Sequence, residues 1–274
     1  MTKKGISKIL LYFILILGGI IMVVPFLWMM VTALKTGPET AKIPPTIVPQ
    51  NPKWGNFITA WNAAPFLRYF LNSAFVMIVT TVGQIITTIL GAFAFARLEF
   101  YGKKALFIIC MTTMMVPSEI LIIPNFVTLS KLGMINTYAA LIVPWLASFF
   151  AVFTLRQTFM TIPDELYYAA KIDGTSDWYF LWRIIVPLSK STIVALATLE
   201  MIGSWNSFMW PMIATNSDKM RTLPVGLSAF TTDAGTQYQL LMAASTIIVV
   251  PMIIIYVFLQ KYIIAGVTRS GLKG

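Results

Sequence analysis

Two acidic residues, Glu119 and Glu200, stand alone in long apolar runs of the sequence. If such runs cross a membrane, a carboxylate there costs about 3 kcal/mol on insertion scales, so it usually faces a cavity or a partner and is a functional candidate. A carboxylate accepts hydrogen bonds from hydroxyl groups, and an indole ring covers the apolar face of a sugar. With the indoles of Trp145 and Trp205 and the amide of Asn206, these acids form our candidate pathway for a polyhydroxylated solute.

Each of these residues also has a structural interpretation. Glu119 follows a proline closely and would bind backbone groups that the proline frees, or lie near enough to the surface to be hydrated. Trp145, Trp205 and Trp210 suit interfacial anchors, and Asn206 suits a hydrogen bond between helices. Acids and aromatic rings also fit an amine, so a polyamine or another cation remains an alternative solute.

Several other chemistries are excluded by the residues the chain lacks. It contains no histidine, which excludes His-based triads, His-ligated metals and His proton relays. Its single cysteine, Cys110, cannot form an intramolecular disulfide. The phosphate-binding pattern G-x4-G-K-[ST] is absent, because the Gly102-Lys103-Lys104 run has no upstream glycine at the required spacing. We therefore expect no metal, no cofactor and no ATPase site, and transport against a gradient would need an ATPase partner.

The composition places these residues in lipid. Of the 274 residues, 58% are hydrophobic and 11% charged, and the mean hydropathy is +0.80; a soluble domain has about 25% charged residues. The net charge of +10 would suit nucleic acid if the basic residues were clustered, but they are scattered between apolar runs, so we expect no nucleic-acid partner. Runs of about 18 or more apolar residues predict an all-α membrane protein with six transmembrane helices, near 9–34, 70–96, 105–124, 138–155, 188–210 and 239–260.

Orientation follows from the loops between these spans. If the N-terminus is cytoplasmic, thirteen Lys and Arg lie inside and seven outside, which predicts cytoplasmic N- and C-termini. The first span follows three lysines, as in a signal peptide, but its apolar run is too long for one and no small-x-small site follows closely, so we expect a retained helix. The stretch 36–68 carries six prolines and predicts an extended outer loop without a helix. We treat residues 1–274 as a single transmembrane domain.

Depth along the predicted spans relates the candidate residues to one another. A rise of about 1.5 Å per residue places Glu119 about 21 Å along the third span and Glu200 about 18 Å along the fifth. Trp145 would lie about 10 Å into the fourth span from the outside. We therefore expect these three residues to share one layer, between the midplane and the outer third of the membrane.

The segment 162–187, between the fourth and fifth spans, predicts a helical elbow in the cytoplasm. Pro163 fits the first helical position and two acids follow it in the first turn. Ala169 and Ala170 belong to one apolar face whose small side chains permit close approach by another backbone. Gly174 fits a left-handed stop, and a Ser or Thr after it fits the cap of a second helix. A plain surface loop with helix-favouring alanines is the alternative.

The run Ala169-Ala170-x3-Gly174-x9-Ile184-x-Val186-Pro187 resembles the EAA loop of permeases in binding-protein-dependent ABC importers, the loop that docks into the ATPase subunit. Tyr168 stands where the family has glutamate, which removes a salt bridge from that position, and Glu165 lies one turn earlier, where it can compensate. Val186 stands where leucine is usual. The resemblance implies an ATPase-coupling site at Glu165, Tyr168, Ala169, Ala170, Asp173, Gly174 and Pro187.

Four further runs resemble the carbohydrate-uptake branch of these permeases, in particular the shorter partner of a maltose-type pair: AFAFARLEF (92–100), VPSEILIIP (116–124), LGMINTYAALIVP (132–144) and GSWNSFMWP (203–211). This resemblance implies a type I ABC importer permease fold in a prokaryotic inner or plasma membrane. The implied partners are a second homologous permease, an ATPase dimer and an extracellular or periplasmic solute-binding protein. A permease of this architecture for glycerol phosphate or another small polar solute, or a membrane scaffold without a conduit, remains the alternative.

Overall fold

A computed structural model describes residues 3–232 and 235–271 of the chain, which are mostly helical. The chain divides into two compact units. The first contains the chain up to Leu67 together with Gly226–Pro251, and the second contains Arg68–Val225 together with the chain from Met252 onward. The elements in chain order are α1 (Lys3–Ala33), α2 (Gly37–Thr40), α3 (Gly55–Asn62), α4 (Phe66–Arg97), α5 (Lys103–Thr112), α6 (Ile122–Lys131), α7 (Tyr138–Ile142), α8 (Phe149–Met160), α9 (Asp164–Ile172), α10 (Asp177–Phe180), α11 (Val186–Leu188), α12 (Lys190–Trp205), α13 (Met209–Ala214), α14 (Leu223–Gly226), a two-residue antiparallel pair β1 (Thr231–Thr232) and β2 (Gly235–Thr236), and α15 (Tyr238–Gly271).

Helix α1 is long and apolar, and it is uncovered within its own unit. Its segment Leu10–Ala33 has a mean hydropathy of 2.7, and the side chains from Leu10 to Trp28 are all exposed. A helix of 24 such residues is about 36 Å long, enough to cross the hydrocarbon core of a bilayer. This agrees with the first predicted span.

The prediction of an extended loop over 36–68 is wrong in part, because that stretch contains α2 and the eight-residue α3. Residues 53–64 contain no proline, so a short helix can form there. The amide of Asn56 in α3 donates to the carbonyl oxygens of Ala33 and Lys35, at 2.7 and 2.8 Å. These bonds satisfy carbonyls that the end of α1 leaves free.

Three straight helices and three bent pairs qualify as membrane spans among the described residues. The straight ones are Leu10–Ala33, Phe66–Arg97 and Tyr238–Gln260. The bent pairs are Lys103–Met115 with Ser118–Lys131 at 93°, Tyr138–Trp145 with Phe149–Met160 at 42°, and Asp177–Leu188 with Lys190–Trp205 at 80°. The six predicted spans correspond to these if each bent pair crosses once.

The bends correct the prediction that the third, fourth and fifth spans are continuous helices. In the third, Pro117 holds Val116 in an extended conformation, as a residue before proline prefers, and the helix breaks there. In the fifth, the 80° bend lies at Ser189, at the predicted start of the span, and α12 ends at Trp205 rather than continuing to residue 210. Polar residues and prolines inside apolar runs therefore decide where these spans change direction.

Two apolar clusters organise the second unit. One joins α4 and α8 to the helices after residue 164 and is built around Leu155, Phe159 and Phe180. The other joins α4, α7 and α13 through Val76, Leu141 and Trp210, among others. The first cluster supports the elbow, and the second supports a polar cavity.

Candidate functional site

A cavity of about 250 Å³ lies within the second unit. Its walls come from α4, α7, α12 and α13, with short connecting segments. The lining residues are Ser73, Val76, Thr80, Leu141, Trp145, Glu200, Gly203, Ser204, Ser207, Trp210, Pro211 and Thr222. Trp145 and Glu200, two of the predicted pathway residues, thus meet in one cavity.

Gln84 connects these two residues. It is a buried residue of α4 whose side chain lies beside that of Glu200, and its Nε2 donates to the carbonyl oxygen of Trp145 at 3.1 Å. Glu200 lies ten residues after Lys190, the start of α12, or about 15 Å along the helix. A neutral amide therefore lies beside the carboxylate and is bonded to the backbone of Trp145. Sequence reasoning missed Gln84, although its signal was available: an amide in the apolar run of the second span.

Two hydroxyl groups of the lining have no hydrogen-bond partner in the described part of the chain. They belong to Thr80 and Thr222, and both are buried. The hydroxyl of Ser73, by contrast, accepts a hydrogen bond from the backbone amide of Leu223 at 2.7 Å. A buried hydroxyl without a partner costs about 1–3 kcal/mol, so Thr80 and Thr222 are available to a polar solute in the cavity.

Two indole rings form one wall. The rings of Trp145 and Trp210 meet edge to face with their centres 6.3 Å apart, and Nε1 of Trp210 donates to the carbonyl oxygen of Ala140 at 2.9 Å. That bond fixes the Trp210 ring in place. Gly203, which also lines the cavity, offers room, since a Cβ added there would meet no atom within 4 Å.

The remaining predicted pathway residues lie outside this cavity. Glu119 is exposed and accepts a hydrogen bond from Ser118, at 3.3 Å. Trp205 is buried with its ring edge to face against Phe70, 5.6 Å away, and Asn206 is an exposed residue at the end of α12. The prediction that Glu119 lies in one layer with Trp145 and Glu200 required a straight third span. The chain bends by 93° before Glu119, so that depth estimate does not apply to it.

The cavity is acidic rather than basic. Among the described residues that line it, Glu200 carries the one carboxylate and none is a lysine or arginine. Four hydroxyl residues other than Ser73, two indoles and one carboxylate can bind a neutral polyol or an amine. They offer no counter-charge to a phosphate. In the described part of the chain, no group of three or more Asp, Glu or Cys is placed to hold a metal ion.

The segment 162–187 folds as the helix-glycine-helix elbow that the sequence predicts. Helix α9 ends at Ile172, and Gly174 follows with φ of +74°, a left-handed conformation that favours glycine. Ser176 caps α10 by accepting the amide of Tyr179 at 3.3 Å. Pro163 stands at the cap of α9 rather than inside its first turn.

Asp177 ties the two helices of the elbow together. Its Oδ1 accepts the hydroxyl of Tyr167 at 2.7 Å and pairs with Nζ of Lys171 at 2.7 Å. The bond to Asp177 raises the pKa of Lys171, and burial raises the pKa of Tyr167. Asp177 of α10 thus bonds two residues of α9.

The elbow presents apolar side chains to its surroundings. Tyr168 is 63% exposed and Ile172 86%, and Ala169 is exposed as well. Ala170 is 8% exposed and packs in the cluster with Phe159. The prediction that Ala169 and Ala170 share one docking face is therefore wrong, because Ala169 is exposed while Ala170 is buried in this cluster. The other predicted coupling residues, Glu165, Asp173, Gly174 and Pro187, are exposed.

Comparisons with known proteins give the chain's relatives. Residues 84–269 match the family described as the binding-protein-dependent transport system inner membrane component. The chain is 37% identical over 220 residues to the arabinooligosaccharides transport system permease protein of Halalkalibacterium halodurans, covering 80% of this chain and 79% of that protein. It is 32% identical over 277 residues to the sn-glycerol-3-phosphate transport system permease protein of Yersinia pestis bv. Antiqua, covering 98% of each.

A solved structure shares its fold. It is a crystal structure of a bacterial ABC transporter involved in the import of the acidic polysaccharide alginate, in which one chain matches with a TM-score of 0.83 at 20% identity. The match covers 96% of this chain and 98% of that one. At this identity, the match indicates a common fold and does not extend to the solute.

Proposed function

Because the chain belongs to the binding-protein-dependent transport system inner membrane components and has the type I ABC permease fold, we propose that it is one permease subunit of an ATP-driven importer for a neutral sugar or oligosaccharide. One observation supports a neutral solute. Glu200, Trp145 and two threonine hydroxyls that have no hydrogen-bond partner among the described residues line one cavity, and no lysine or arginine lines it with them. The arabinooligosaccharide permease named above supports the same class.

The cavity suits a sugar in three ways. The Glu200 carboxylate accepts hydrogen bonds from sugar hydroxyls, and the amide of Gln84 lies beside it. The indoles of Trp145 and Trp210 cover the apolar face of a ring. The hydroxyls of Thr80 and Thr222 donate to or accept from the solute and recover the hydrogen bonds they otherwise lack.

ATP hydrolysis falls to a partner, because the chain carries no phosphate-binding loop. We place an ATPase dimer against the elbow, whose exposed Tyr168 and Ile172 offer apolar surface for the contact. A second homologous permease and a solute-binding protein complete the assembly. In this cycle, ATP binding closes the ATPase dimer, moves the two elbows together and turns the cavity outward to receive solute from the docked binding protein.

The thirteen-to-seven distribution of Lys and Arg supports cytoplasmic N- and C-termini. With that orientation the elbow faces the cytoplasm, where the ATPase must be. Residues 1–274 then act as a single permease domain, and residues 162–187 are its coupling elbow.

An anionic solute is the second candidate, and it is favoured by the similarity to the sn-glycerol-3-phosphate permease. The lining of the cavity argues against it, since no lysine or arginine there would neutralise a phosphate. In that case the second permease or the binding protein would hold the phosphate.

An amine is the third candidate solute, because its positive charge would interact with the Glu200 carboxylate and with the face of an indole ring. Family membership gives no support to a scaffold without a conduit.

Transport in proteoliposomes that contain all partner subunits tests the proposal. Glu200→Leu should raise the half-saturation concentration at least tenfold, because each lost hydrogen bond to a carboxylate costs about 1.5–3 kcal/mol. Glu200→Gln keeps an acceptor and should retain most of the sugar uptake. Glu119→Leu, at an exposed acid outside the cavity, is the matched control and should transport like the wild type.

The same variants separate the candidates. An amine needs the negative charge, so with an amine Glu200→Gln would lose as much transport as Glu200→Leu. With a neutral sugar the two variants differ. Wild-type kinetics for Glu200→Leu, with basal ATPase activity intact, would show that solute selection lies in another subunit.

A further inference from the structure

A second, open cavity of about 890 Å³ lies beside the turn between α4 and α5, far in sequence from the Glu200 cavity. It combines three basic residues with an aromatic wall. The lining residues are Phe95, Glu99, Phe100, Tyr101, Gly102, Lys103, Lys104, Ala105, Phe107, Ile108 and Arg156. Nothing in the transport cycle described above uses it.

Two of its three cations form no ion pair with an acid that the structure describes. Lys103 is satisfied, because its Nζ pairs with Glu99 at 3.1 Å and donates to the carbonyl oxygen of Leu98 at 2.7 Å. Lys104 and Arg156 form no ion pair with any acidic residue in the described part of the chain. The site therefore carries positive charge that the described acids leave unbalanced.

Two contacts within the chain hold the guanidinium group of Arg156 in one position. Its Nε donates to the carbonyl oxygen of Phe95 at 3.0 Å, and its guanidinium carbon lies 4.4 Å from the centre of the Phe107 ring. These contacts fix the planar group while leaving its two Nη groups without a hydrogen bond to a described residue. A fixed guanidinium loses less entropy when it binds a phosphate than a mobile one does.

The charge distribution at the start of α5 also favours a bound anion. Its first two residues are Lys103 and Lys104, its first turn has no acid, and its cap is Gly102, which has no side chain to donate or accept. Positive charges at the positive end of a helix dipole are unfavourable by about 0.3–1 kcal/mol each. A bound anion would reverse that effect and use the free amides of the first turn.

The aromatic wall selects an amphiphilic ligand. Phe95, Phe100 and Phe107 line the cavity beside the cations, so a free phosphate would leave most of the wall uncovered. The turn joins the straight span Phe66–Arg97 to the bent span that begins at Lys103, which places it at the membrane surface. The side chain of Tyr101 is fully exposed there, as an interfacial anchor would be.

We propose that this cavity binds an anionic phospholipid, with the lipid phosphate at Lys104 and Arg156 and the glycerol and upper acyl chains along the phenylalanine wall. Basic pockets at the ends of membrane helices bind anionic headgroups in this manner. The lipid would hold the α4–α5 turn against the bilayer. This site does not depend on the identity of the transported solute.

Native mass spectrometry of the delipidated, fully assembled transporter tests the site, with phosphatidylglycerol, phosphatidylcholine and inorganic phosphate as probes. The wild type should retain phosphatidylglycerol but not phosphatidylcholine. The variant with both Lys104→Gln and Arg156→Gln should bind phosphatidylglycerol at least tenfold more weakly. The matched control with Lys53→Gln and Lys131→Gln removes the same charge from exposed positions outside the cavity and should bind like the wild type.

Three outcomes would overturn the proposal: equal retention by the wild type and the double variant, equal loss in the control, or displacement of the lipid by millimolar inorganic phosphate. The last would identify a site for a soluble anion. If the double variant fails to assemble, Lys104→Gln alone decides, because Lys104 is exposed and its loss leaves the fold unaffected. That single variant should still bind phosphatidylglycerol at least threefold more weakly.

Discussion

Arg97, the last residue of α4, forms an ion pair with Asp164 in the first turn of α9. Its Nη2 also donates to the carbonyl oxygens of Phe159 and Ile162, at 2.9 and 2.6 Å. Those carbonyls lie at the end of α8, where the helix leaves acceptors unpaired. One guanidinium thus joins the end of α4, the end of α8 and the start of the elbow.

The two partners of this pair should contribute unequally. The Arg97 side chain is 4% exposed and that of Asp164 is 70% exposed. Asp164→Asn should therefore cost less than about 1 kcal/mol, as exposed ion pairs do. Arg97→Gln removes the donor of the half-buried Ile162 carbonyl, at about 1–3 kcal/mol, and one of the donors of the Phe159 carbonyl, which keeps the backbone amide of Ile162 at 3.2 Å. Thermal unfolding of the two variants in detergent measures the difference.

Coupling should follow the same order. If Arg97 transmits motion between the elbow and α4, Arg97→Gln should lower solute uptake at least tenfold and weaken the stimulation of ATPase activity by the binding protein. Arg97→Lys keeps the charge but cannot bind both carbonyls and Asp164 in the same way, so it should recover only part of the uptake. Equal uptake by Arg97→Gln and Asp164→Asn would show that the guanidinium has no role in coupling.

The two alanines of the elbow should respond differently to a large charged residue. Ala169→Arg adds bulk on the exposed side, so the protein should reach the membrane and lose ATPase association. Ala170→Arg forces a charge into the cluster with Phe159 and should lower the amount of folded protein. Co-purification of the ATPase, normalised to membrane-inserted permease, separates these effects.

Tyr168→Glu is the companion variant for the elbow. It restores the glutamate that the EAA loop has at that position, and Tyr168 is exposed, so full transport is expected. If Ala169→Arg keeps both transport and ATPase association, the elbow does not dock the ATPase.

The connection after α1 should loosen in acid. The backbone amide of Gln50 donates to Glu39 at 2.8 Å and, with the hydroxyl of Thr46, holds the pKa of Glu39 below its ordinary value of 4.5. A lowered pKa means that the carboxylate stabilises the fold above pH 4.5 and that this contribution is lost as pH falls through the folded-state pKa. Hydrogen exchange of the Gln50 amide, corrected for the intrinsic rate, should therefore show protection at pH 6 that declines toward pH 3.

Glu39→Gln is the control for that titration. The amide side chain still accepts a hydrogen bond but does not ionise, so protection of the Gln50 amide should be weaker and independent of pH over the same range. A wild-type response identical to that of the variant would assign the acid sensitivity to another group.

Membrane topology is tested by fusing a reporter that is active only in the cytoplasm. The charge distribution predicts activity after Lys104, Thr175 and Gly274 and none after Asn51 or Lys219. Activity at Lys219 would contradict six crossings, and it would require at least one of the bent pairs to re-enter the membrane instead of crossing it.

The sequence by itself determined the properties that depend on neighbouring residues. Uninterrupted apolar length identified the first, second and sixth spans, because hydropathy over about 20 residues is a local quantity. The elbow was predictable for the same reason: a cap, a helical period and a glycine in the left-handed region all act within one or two turns.

Tertiary structure alone decided which distant residues meet. Trp145 and Glu200 lie far apart in sequence, and only the packing of the helices brings them to one cavity, with Gln84 of α4 bonded to the carbonyl oxygen of Trp145. The bend before Glu119 leads that acid away. Packing also turned Ala170 inward and Ala169 outward. A helical period gives relative directions around an axis, but the side that is buried depends on what the rest of the chain places beside it.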